Sequence, residues 1–322
     1  MTIAIIGAGA FGTAMAIALA KKVNEVSLYT RSIGQKRQLS TTRYNKKYLP
    51  EVEIPTNITI TNNLAYACKR KKVVLLCVPA QNTKNFCEHH ADTLRKIPIA
   101  VCSKGIDYKT LQLQTENISI IQPSYPVSVL TGPSFAMEIA KGLPTALTLA
   151  CEQEEMANQL QKLISTETIR IYSCLDTVGA QVGGSLKNII AIACGIVHGL
   201  SLGESAKIAL MTRGFSEIRK LGIALGGKPE TFFGLSGLGD LTLTCNSRLS
   251  RNYQLGVNLA QNNPKKLGTC EGVKTTFAAY KLGRKLGLDL PIINSVQKIL
   301  NKNGTIDEII TNLLSRSLKK EV

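Results

Sequence analysis

The stretch TIAIIGAGAFGTAMAIALA at residues 2–20 decides the fold of the N-terminal half of the chain. It opens with an apolar run typical of a buried strand and closes with an alanine-rich segment that predicts a helix over residues 13–22. Between these elements lies the pattern GxGxxG, formed by Gly7, Gly9 and Gly12. There the first glycine permits a tight turn, the second lets a pyrophosphate approach the backbone, and the third lets the helix pack on the strand. The stretch predicts a dinucleotide-binding βαβ unit with the phosphates at the helix N-terminus.

Four further apolar runs predict more strands of the same sheet, at residues 25–29, 73–78, 99–102 and 127–130. The last three end in marked turns, at Pro79, at Lys104 and at Gly132. With helical segments between them, such strands form a doubly wound, mostly parallel sheet, which binds ligands beyond the carboxyl ends of its strands. We therefore expect Lys104 and the turn at residues 132–134 to lie beside the glycine loop, although a lysine in a surface loop would show the same pattern.

Arg31 follows the predicted strand at residues 25–29 and bears on the choice of cofactor. An NAD-specific site more often has an acidic residue here, which binds the ribose hydroxyl, whereas an arginine suits a 2′-phosphate. The sequence therefore favours NADPH over NADH. Two alternatives stay open, since Arg31 can also stack on the adenine or lie in solvent.

Beyond about residue 180 the pattern becomes helical, with predicted helices at residues 181–198, 204–225, 272–286 and 305–318. We therefore predict an α/β protein with two domains. Residues 1–180 form a Rossmann-like dinucleotide-binding domain, and residues 181–322 form an all-helical domain for substrate binding and catalysis. No flexible linker separates them, so we expect a cleft between the two.

Lys187 is the only formally charged residue in the segment 177–203, in a chain that holds 39 lysines and arginines. Its neighbours are small or apolar, so a helix here would be packed on nearly every side. Burial disfavours the ammonium and lowers its pKa, which makes a lysine a proton donor and acceptor near neutral pH. The alternative is a structural lysine whose ammonium reaches solvent along an apolar surface.

A second group of polar residues follows at residues 240–252. Asp240 comes after two glycines, a setting in which a turn can present a carboxylate, although a helix N-cap is an equal interpretation. Ser250, Arg251 and Asn252 offer a guanidinium and small hydrogen-bond donors of the kind that hold a phosphate. A surface arginine is the alternative for Arg251.

The composition argues against several other functions. The net charge is +17, but the basic residues are scattered and aromatic residues make up only 5% of the chain, so we interpret the charge as a solvated surface rather than a nucleic-acid face. The nine cysteines lack CxxC spacing and the three histidines lack metal-ligand spacing, which predicts reduced thiols, a cytoplasmic protein and no metal.

Two apolar segments have the length of a membrane span. Residues 1–20 lack the positive region that begins a signal peptide. Residues 177–203 contain four polar or charged side chains that are unfavourable in a helix facing lipid. These groups are Gln181, Lys187, Asn188 and His198. We therefore predict no integral membrane association.

Over essentially its whole length the chain resembles the bacterial-type NAD(P)-dependent glycerol-3-phosphate dehydrogenases. The matching segments are GAGAFGTAMA at 7–16, SKG at 103–105, TGPSFAMEIAKGLPTA at 131–146, GGSLKNIIAI at 183–192, TRGFSEIRKLG at 212–222, GLSGLGDLTLTC at 234–245, SRN at 250–252 and EG at 271–272. The resemblance implies reversible hydride transfer between NAD(P)H and dihydroxyacetone phosphate. The product of the reduction, sn-glycerol 3-phosphate, feeds glycerophospholipid synthesis. The resemblance also implies a possible homodimer.

The resemblance also implies roles for individual residues. Lys187 matches the proton-transferring lysine, with Asn188 and Asp240 beside it in the substrate site. The further substrate contacts are Lys104, Gly132, Ser134, Ser250, Arg251 and Asn252. The cofactor contacts are Ala10, Phe11, Arg31, Ala136, Thr269 and Glu271, in addition to the glycine loop, and Lys104 and Arg251 belong to both sets.

Two departures from the family pattern concern aromatic residues. The family commonly has tryptophan at the position of Phe11 and again near Tyr29, and this chain has no tryptophan. Both positions keep an aromatic face, so the departures bear on cofactor affinity more than on the reaction. Two alternative functions remain open, namely a related two-domain reductase of a β-hydroxyacid and a nucleotide-sensing protein without turnover.

Overall fold

A computed structural model of the chain describes residues 2–263 and 267–314. The strands are β1 (Thr2–Ile6), β2 (Glu25–Tyr29), β3 (Tyr44–Asn45), β4 (Leu49–Glu53), β5 (Ile58–Thr61), β6 (Val73–Leu76), β7 (Ile99–Val101), β8 (Ser128–Thr131), β9 (Thr145–Ala150) and β10 (Ile169–Cys174). Eight of them form one sheet in the order β10-β9-β8-β7-β6-β1-β2-β5, and β3 pairs with β4 in a separate ribbon.

The large sheet is parallel except between β8 and β9. Helices cover both faces, as the alternation of side chains along β1 shows. Ile3 and Ile5 pack in one apolar cluster, and Ala4 and Ile6 pack in another. The predicted doubly wound, mostly parallel sheet is confirmed.

The helices that accompany the sheet are α1 (Ala10–Leu19), α2 (Ile33–Thr42), α3 (Leu64–Cys68), α4 (Ala80–His89), α5 (Ala91–Leu94), α6 (Gln114–Ser119), α7 (Ala136–Lys141) and α8 (Glu154–Ile164). The predicted helix at residues 13–22 was placed too late in the chain. It begins at Ala10, so Phe11 and Gly12 lie in its first turn and Gly9 is its N-cap residue. Glycine is a poor helix former, which hides this start in the sequence pattern.

The C-terminal half is helical, as predicted. Its helices are α9 (Thr177–Gly199), α10 (Glu204–Ala224), α11 (Asp240–Cys245), α12 (Arg251–Ala260), α13 (Glu271–Lys285), α14 (Pro291–Leu300) and α15 (Ile306–Leu314). The predicted end of the last helix, at residue 318, lies outside the described residues. The predicted division of the chain between residues 180 and 181 stays a prediction.

Helix α9 runs through the centre of this half and is buried along almost its entire length. It is the one described helix that is long and apolar enough to span a membrane, and its most apolar window is wholly buried inside the protein. It packs so closely against α12 that the backbones of the two helices are in contact. A Cβ on Gly195 would lie 2.1 Å from the carbonyl oxygen of Tyr253, and a Cβ on Gly256 would lie 2.0 Å from that of Ile192. Only glycine at both positions permits this approach.

Candidate active site

The glycine loop joins β1 to α1 with the geometry that a dinucleotide requires. Gly7 has a φ of +115°, which favours glycine, and a Cβ on Gly12 would lie 2.1 Å from the carbonyl oxygen of Gly7. A Cβ on Gly9, by contrast, would meet no heavy atom within 4 Å. The first turn of α1 holds no acidic residue and no side-chain cap, so its backbone amides suit a pyrophosphate. The residues present therefore fit the cofactor.

Two side chains that the sequence analysis missed hold this loop in place. Gln35 Nε2 donates to the carbonyl oxygen of Ala8 at 2.8 Å, and Asn45 Nδ2 donates to the same oxygen at 3.1 Å. Asn45 Nδ2 also lies 2.8 Å from Thr13 Oγ1 in α1. Since Asn45 belongs to the β3–β4 ribbon, the ribbon is fastened to the loop. Nothing in the local pattern around residue 45 predicts this contact.

The other predicted cofactor contacts come from both halves of the chain. Arg31 is exposed just beyond the end of β2, and Phe11 is partly buried against the apolar cluster of the sheet. Ala136 is the first residue of α7, which packs on α1. Thr269 is exposed in the segment before α13. The roles of these residues in cofactor binding stay predictions.

Lys187 of α9 and Asp240 of α11 form a buried ion pair. The ammonium of Lys187 donates to Asp240 Oδ1, and the side chain of Asp240 is fully shielded from solvent. Asp240 is the first residue of α11, and the N-cap of that helix is Gly239, so the interpretation of Asp240 as an N-cap is wrong. The residue Lys187 is 6% exposed. Its burial follows from the packing of α9 on every side.

Lys104 binds the other oxygen of the same carboxylate. Its Nζ donates to Asp240 Oδ2 at 2.7 Å and to the carbonyl oxygen of Gly132 at 2.9 Å. Gly132 has a φ of +135°, which turns the chain after β8, and Ser134 Oγ donates to the same carbonyl oxygen at 3.3 Å. Lys104 is therefore not a surface lysine. It brings the loop after β7 into the site.

Burial and two neighbouring charges set the protonation of Lys187. Burial lowers the pKa of Lys187 from its ordinary 10.5 to about 8, although the carboxylate of Asp240 raises it. The cation of Lys104 adds to the lowering. The sequence leaves open whether burial or Asp240 dominates, and the structure shows that burial does. A lysine with this pKa exchanges its proton near neutral pH.

Thr244 completes the surroundings of the ammonium and was not among the predicted site residues. Its Oγ1 accepts from Lys187 Nζ at 2.7 Å and donates to the carbonyl oxygen of Asp240 at 2.6 Å. It lies one helical turn after Asp240 in α11, so both side chains face α9. That spacing is the signal that could have identified it.

The predicted phosphate-binding residues cluster at the first turn of α12. Ser250 caps this helix, with its Oγ accepting from the amide of Tyr253 at 3.2 Å, while Arg251 is exposed. Asn252 Oδ1 accepts from the amide of Gly272 at 3.1 Å. A Cβ on Gly272 would lie 2.9 Å from the carbonyl oxygen of Asn188, which is buried next to Lys187 on α9. The start of α12 therefore lies beside the site.

Comparisons with known proteins agree with this geometry. Residues 2–157 match the family described as NAD-dependent glycerol-3-phosphate dehydrogenase N-terminus, and residues 176–311 match the corresponding C-terminus. The chain is 43% identical over 325 residues to the glycerol-3-phosphate dehydrogenase [NAD(P)+] of Ruegeria sp. (strain TM1040), with both chains fully covered. It is 44% identical over 322 residues to that of Paracoccus denitrificans (strain Pd 1222), again with both fully covered.

A solved structure has the same architecture. The glycerol-3-phosphate dehydrogenase of Coxiella burnetii superposes with a TM-score of 0.92 at 33% identity, covering 98% of this chain and 99% of that one. The sequence matches span both halves, and the structural match includes the sheet and the helical half together. The chain belongs to the family of NAD(P)-dependent glycerol-3-phosphate dehydrogenases.

Proposed function

We propose that the chain transfers a hydride reversibly between NAD(P)H and dihydroxyacetone phosphate, giving sn-glycerol 3-phosphate for glycerophospholipid synthesis. The observation that carries the proposal is the buried ammonium of Lys187, bonded to Asp240 and Thr244, with its pKa lowered to about 8. Such a group is poised to give a proton to an oxygen or to take one back.

The cofactor would be held by the glycine loop and α1 at one end and by residues near the cleft at the other. Bound there, the nicotinamide would supply the hydride for reduction of the ketone at C2 and would accept it in the reverse direction. Arg31 is exposed beyond β2, where its guanidinium can pair with a 2′-phosphate, and this supports a preference for NADPH.

Lys187 acts on the oxygen attached to the reacting carbon. In the reductive direction its ammonium donates a proton to the alkoxide that develops at C2. In the oxidative direction neutral Lys187 accepts the proton of the C2 hydroxyl. Asp240 and Thr244 keep the ammonium directed at one place, because they bind two of its three protons. The third proton is the one that we assign to the substrate.

Lys104 adds a second cation on the other side of Asp240. A second positive charge near the developing alkoxide favours the transition state over the neutral ketone, since the charge forms only during the reaction. It also offsets the carboxylate of Asp240, which would otherwise repel an anionic substrate.

We assign the substrate phosphate to the first turn of α12. Arg251 offers an exposed guanidinium and Asn252 offers an amide, at the positive end of a ten-residue helix. Holding the phosphate orients C2 toward Lys187, so a substrate without phosphate should lose turnover as well as affinity. We also propose that the protein acts in the cytoplasm as a homodimer, with domains that divide between residues 180 and 181.

The test is spectrophotometric. Purified protein is mixed with NADPH or NADH, and nicotinamide absorbance is followed after addition of dihydroxyacetone phosphate or of unphosphorylated dihydroxyacetone. Oxidation with the phosphate ester and little with the free ketone supports the proposal. Equal rates with both ketones would argue for a reductase that does not use phosphate, and no oxidation with either would contradict the assigned reaction.

A further inference from the structure

Lys104 is held at two points by carboxylates of the helical half. At the tip of its side chain, Nζ donates to Asp240 Oδ2 at 2.7 Å. At its backbone, the amide donates to Glu271 Oε2 at 3.3 Å. Glu271 is the first residue of α13, whereas Asp240 is the first residue of α11. Two separate helices of this half therefore bind one residue of the sheet half.

The second oxygen of Glu271 also binds the sheet half. Oε1 accepts from the amide of Ala80 at 3.1 Å, at the start of α4 and beyond the end of β6. Since β6 and β7 are neighbouring strands, the carboxylate bridges the loops that follow both. Each oxygen has its own backbone donor, so the arrangement is specific for a carboxylate at this position.

The loop around Lys104 is packed tightly against α13. A Cβ on Gly105 would lie 2.9 Å from the Cβ of Ala80 and 3.1 Å from Thr275 Oγ1. Thr275 Oγ1 in turn donates to the carbonyl oxygen of Glu271 at 2.8 Å. The first turn of α13 therefore packs closely against the loops that follow β6 and β7.

The electrostatics show how much the amide bonds matter to Glu271. Burial raises the pKa of Glu271, while the amides of Ala80 and Lys104 and the cations of Arg251 and Lys104 lower it. The ionised carboxylate is thus disfavoured by burial and kept in place mainly by the two amides. A carboxamide of the same size has only one accepting oxygen, so it can satisfy one amide and leaves the other unpaired.

We propose that Glu271 is a positioning residue that fixes the backbone of Lys104, so that the Lys104 ammonium reaches Asp240 and, through it, Lys187. The family resemblance implies a cofactor contact for Glu271, whereas its carboxylate binds two backbone amides of the protein itself. The catalytic part of the inference rests on the proposed function, but the structural part does not.

Release of Lys104 has a consequence at Lys187. The charged and titratable groups that face the Lys187 ammonium are Asp240 and Cys245 of α11 and Lys104 of the loop after β7. Of these, Lys104 carries the like charge. When its ammonium moves away, Lys187 holds its proton to higher pH, and the pH profile of turnover shifts toward alkaline values.

The experiment compares full-length wild type with Glu271→Gln, and uses Glu308→Gln as the matched control. Glu308 also accepts a backbone amide, that of Thr305 at 2.8 Å, but it does so at the exposed start of α15. Hydrogen exchange of peptides containing the Ala80 and Lys104 amides is measured together with kcat, KM and their pH dependence. Thermal unfolding confirms that each variant is folded.

In Glu271→Gln we expect exchange to accelerate about tenfold at whichever of these two amides is left unpaired, and kcat to fall about tenfold with an alkaline shift of its pH profile. Glu308→Gln should change neither. Unchanged exchange in Glu271→Gln would overturn the proposal, whatever the kinetics. An increased KM for NADPH with unchanged kcat and pH profile would also overturn it, and would make Glu271 a cofactor contact only.

A failure of the proposed function would give a different result from a failure of the role proposed for Glu271. If wild type does not oxidise NADPH with dihydroxyacetone phosphate, the reaction assignment fails. Faster exchange at the Ala80 or the Lys104 amide in Glu271→Gln would still show that the carboxylate of Glu271 holds these loops.

Discussion

Lys104 and Asp240 are 136 positions apart in the sequence, yet Lys104 Nζ donates to Asp240 Oδ2 at 2.7 Å. The bond joins the loop after β7 to the first residue of α11 and places two ammonium groups on one carboxylate, since Lys187 binds the other oxygen. The charge of the site is therefore shared among three side chains from three elements. Its response to pH and to mutation depends on all three.

The direction of the reaction should decide how rate depends on pH. Since burial lowers the pKa of Lys187 to about 8, the ammonium that donates in the reductive direction is lost as pH rises through that value. Ketone reduction should fall there, and alcohol oxidation, which needs neutral Lys187, should rise. The measurement is kcat in each direction at saturating substrates across the alkaline range. Parallel changes in both directions would contradict the assignment.

Replacement of Lys104 should move this transition. In Lys104→Met the cation that lowers the pKa of Lys187 is removed, so the alkaline limb of ketone reduction should shift upward by on the order of one pH unit. The Michaelis constant for the phosphorylated ketone should rise as well. Lys141→Met is the control, because Lys141 forms an exposed ion pair with Glu51 at 2.7 Å. A shift of similar size in Lys141→Met would show that the change does not come from the position of Lys104 beside Lys187.

Two glycines of the loop should respond differently to the same substitution. Gly12→Ala places a methyl group 2.1 Å from the carbonyl oxygen of Gly7, so we expect a loss of about 1–3 kcal/mol in folding stability. Gly9→Ala meets no atom within 4 Å and should leave thermal unfolding nearly unchanged, while it weakens NADPH binding. Calorimetry and a cofactor titration measure the two effects. Equal cofactor affinity in Gly9→Ala and wild type would argue against phosphate contact at Gly9.

Arg31→Ala tests the choice between NADPH and NADH. If the guanidinium pairs with the 2′-phosphate, its loss should raise the Michaelis constant for NADPH about tenfold more than that for NADH. Arg170→Ala on the edge strand β10 removes another exposed arginine and serves as the control. Equal effects of Arg31→Ala on the two cofactors would remove the 2′-phosphate role.

Glu217 should make the stability of the helical half depend on pH. Its carboxylate caps α14, accepting from the amides of Ile292 at 2.7 Å and Ile293 at 3.0 Å, and burial raises its pKa from 4.5 to about 7. A carboxyl group with a raised pKa contributes stability below its unfolded value, and this contribution is lost as pH rises through the folded value. Between pH 4.5 and about pH 7, the free energy of unfolding of wild type should therefore fall by up to about 3 kcal/mol relative to that of Glu217→Gln. Denaturant unfolding of both proteins at several pH values measures the difference, and a constant difference would contradict the assignment.

The sequence was sufficient for the features that depend on local pattern. A continuous apolar run and a glycine turn predicted β1 and the dinucleotide loop, and the lack of charge around Lys187 predicted its burial. The strands β5, β9 and β10 of the large sheet were missed, as were both strands of the ribbon, β3 and β4. Along β10 exposed residues interrupt the apolar ones, because it lies at an edge of the sheet.

Other features depend on contacts that no local pattern contains. Asn45 reaches the carbonyl oxygen of Ala8, 37 positions away, and Glu271 reaches the amide of Ala80, 191 positions away. Such pairs follow from the relative placement of elements, which is determined by packing. The same limit applies to Lys187, where only the depth of burial shows that desolvation outweighs the attraction of Asp240.

The glycine contacts between α9 and α12 have a consequence for substrate size. Because Gly195 and Gly256 bring the two backbones together, neither helix can slide along the other without a steric clash. Lys187 lies on α9, and the proposed phosphate donors Arg251 and Asn252 lie on α12, so the span between proton donor and phosphate is constant. In the proposed assignment, the distance from the reacting oxygen to the phosphate, and with it the number of carbons between them, is thus set by the packing of α9 on α12.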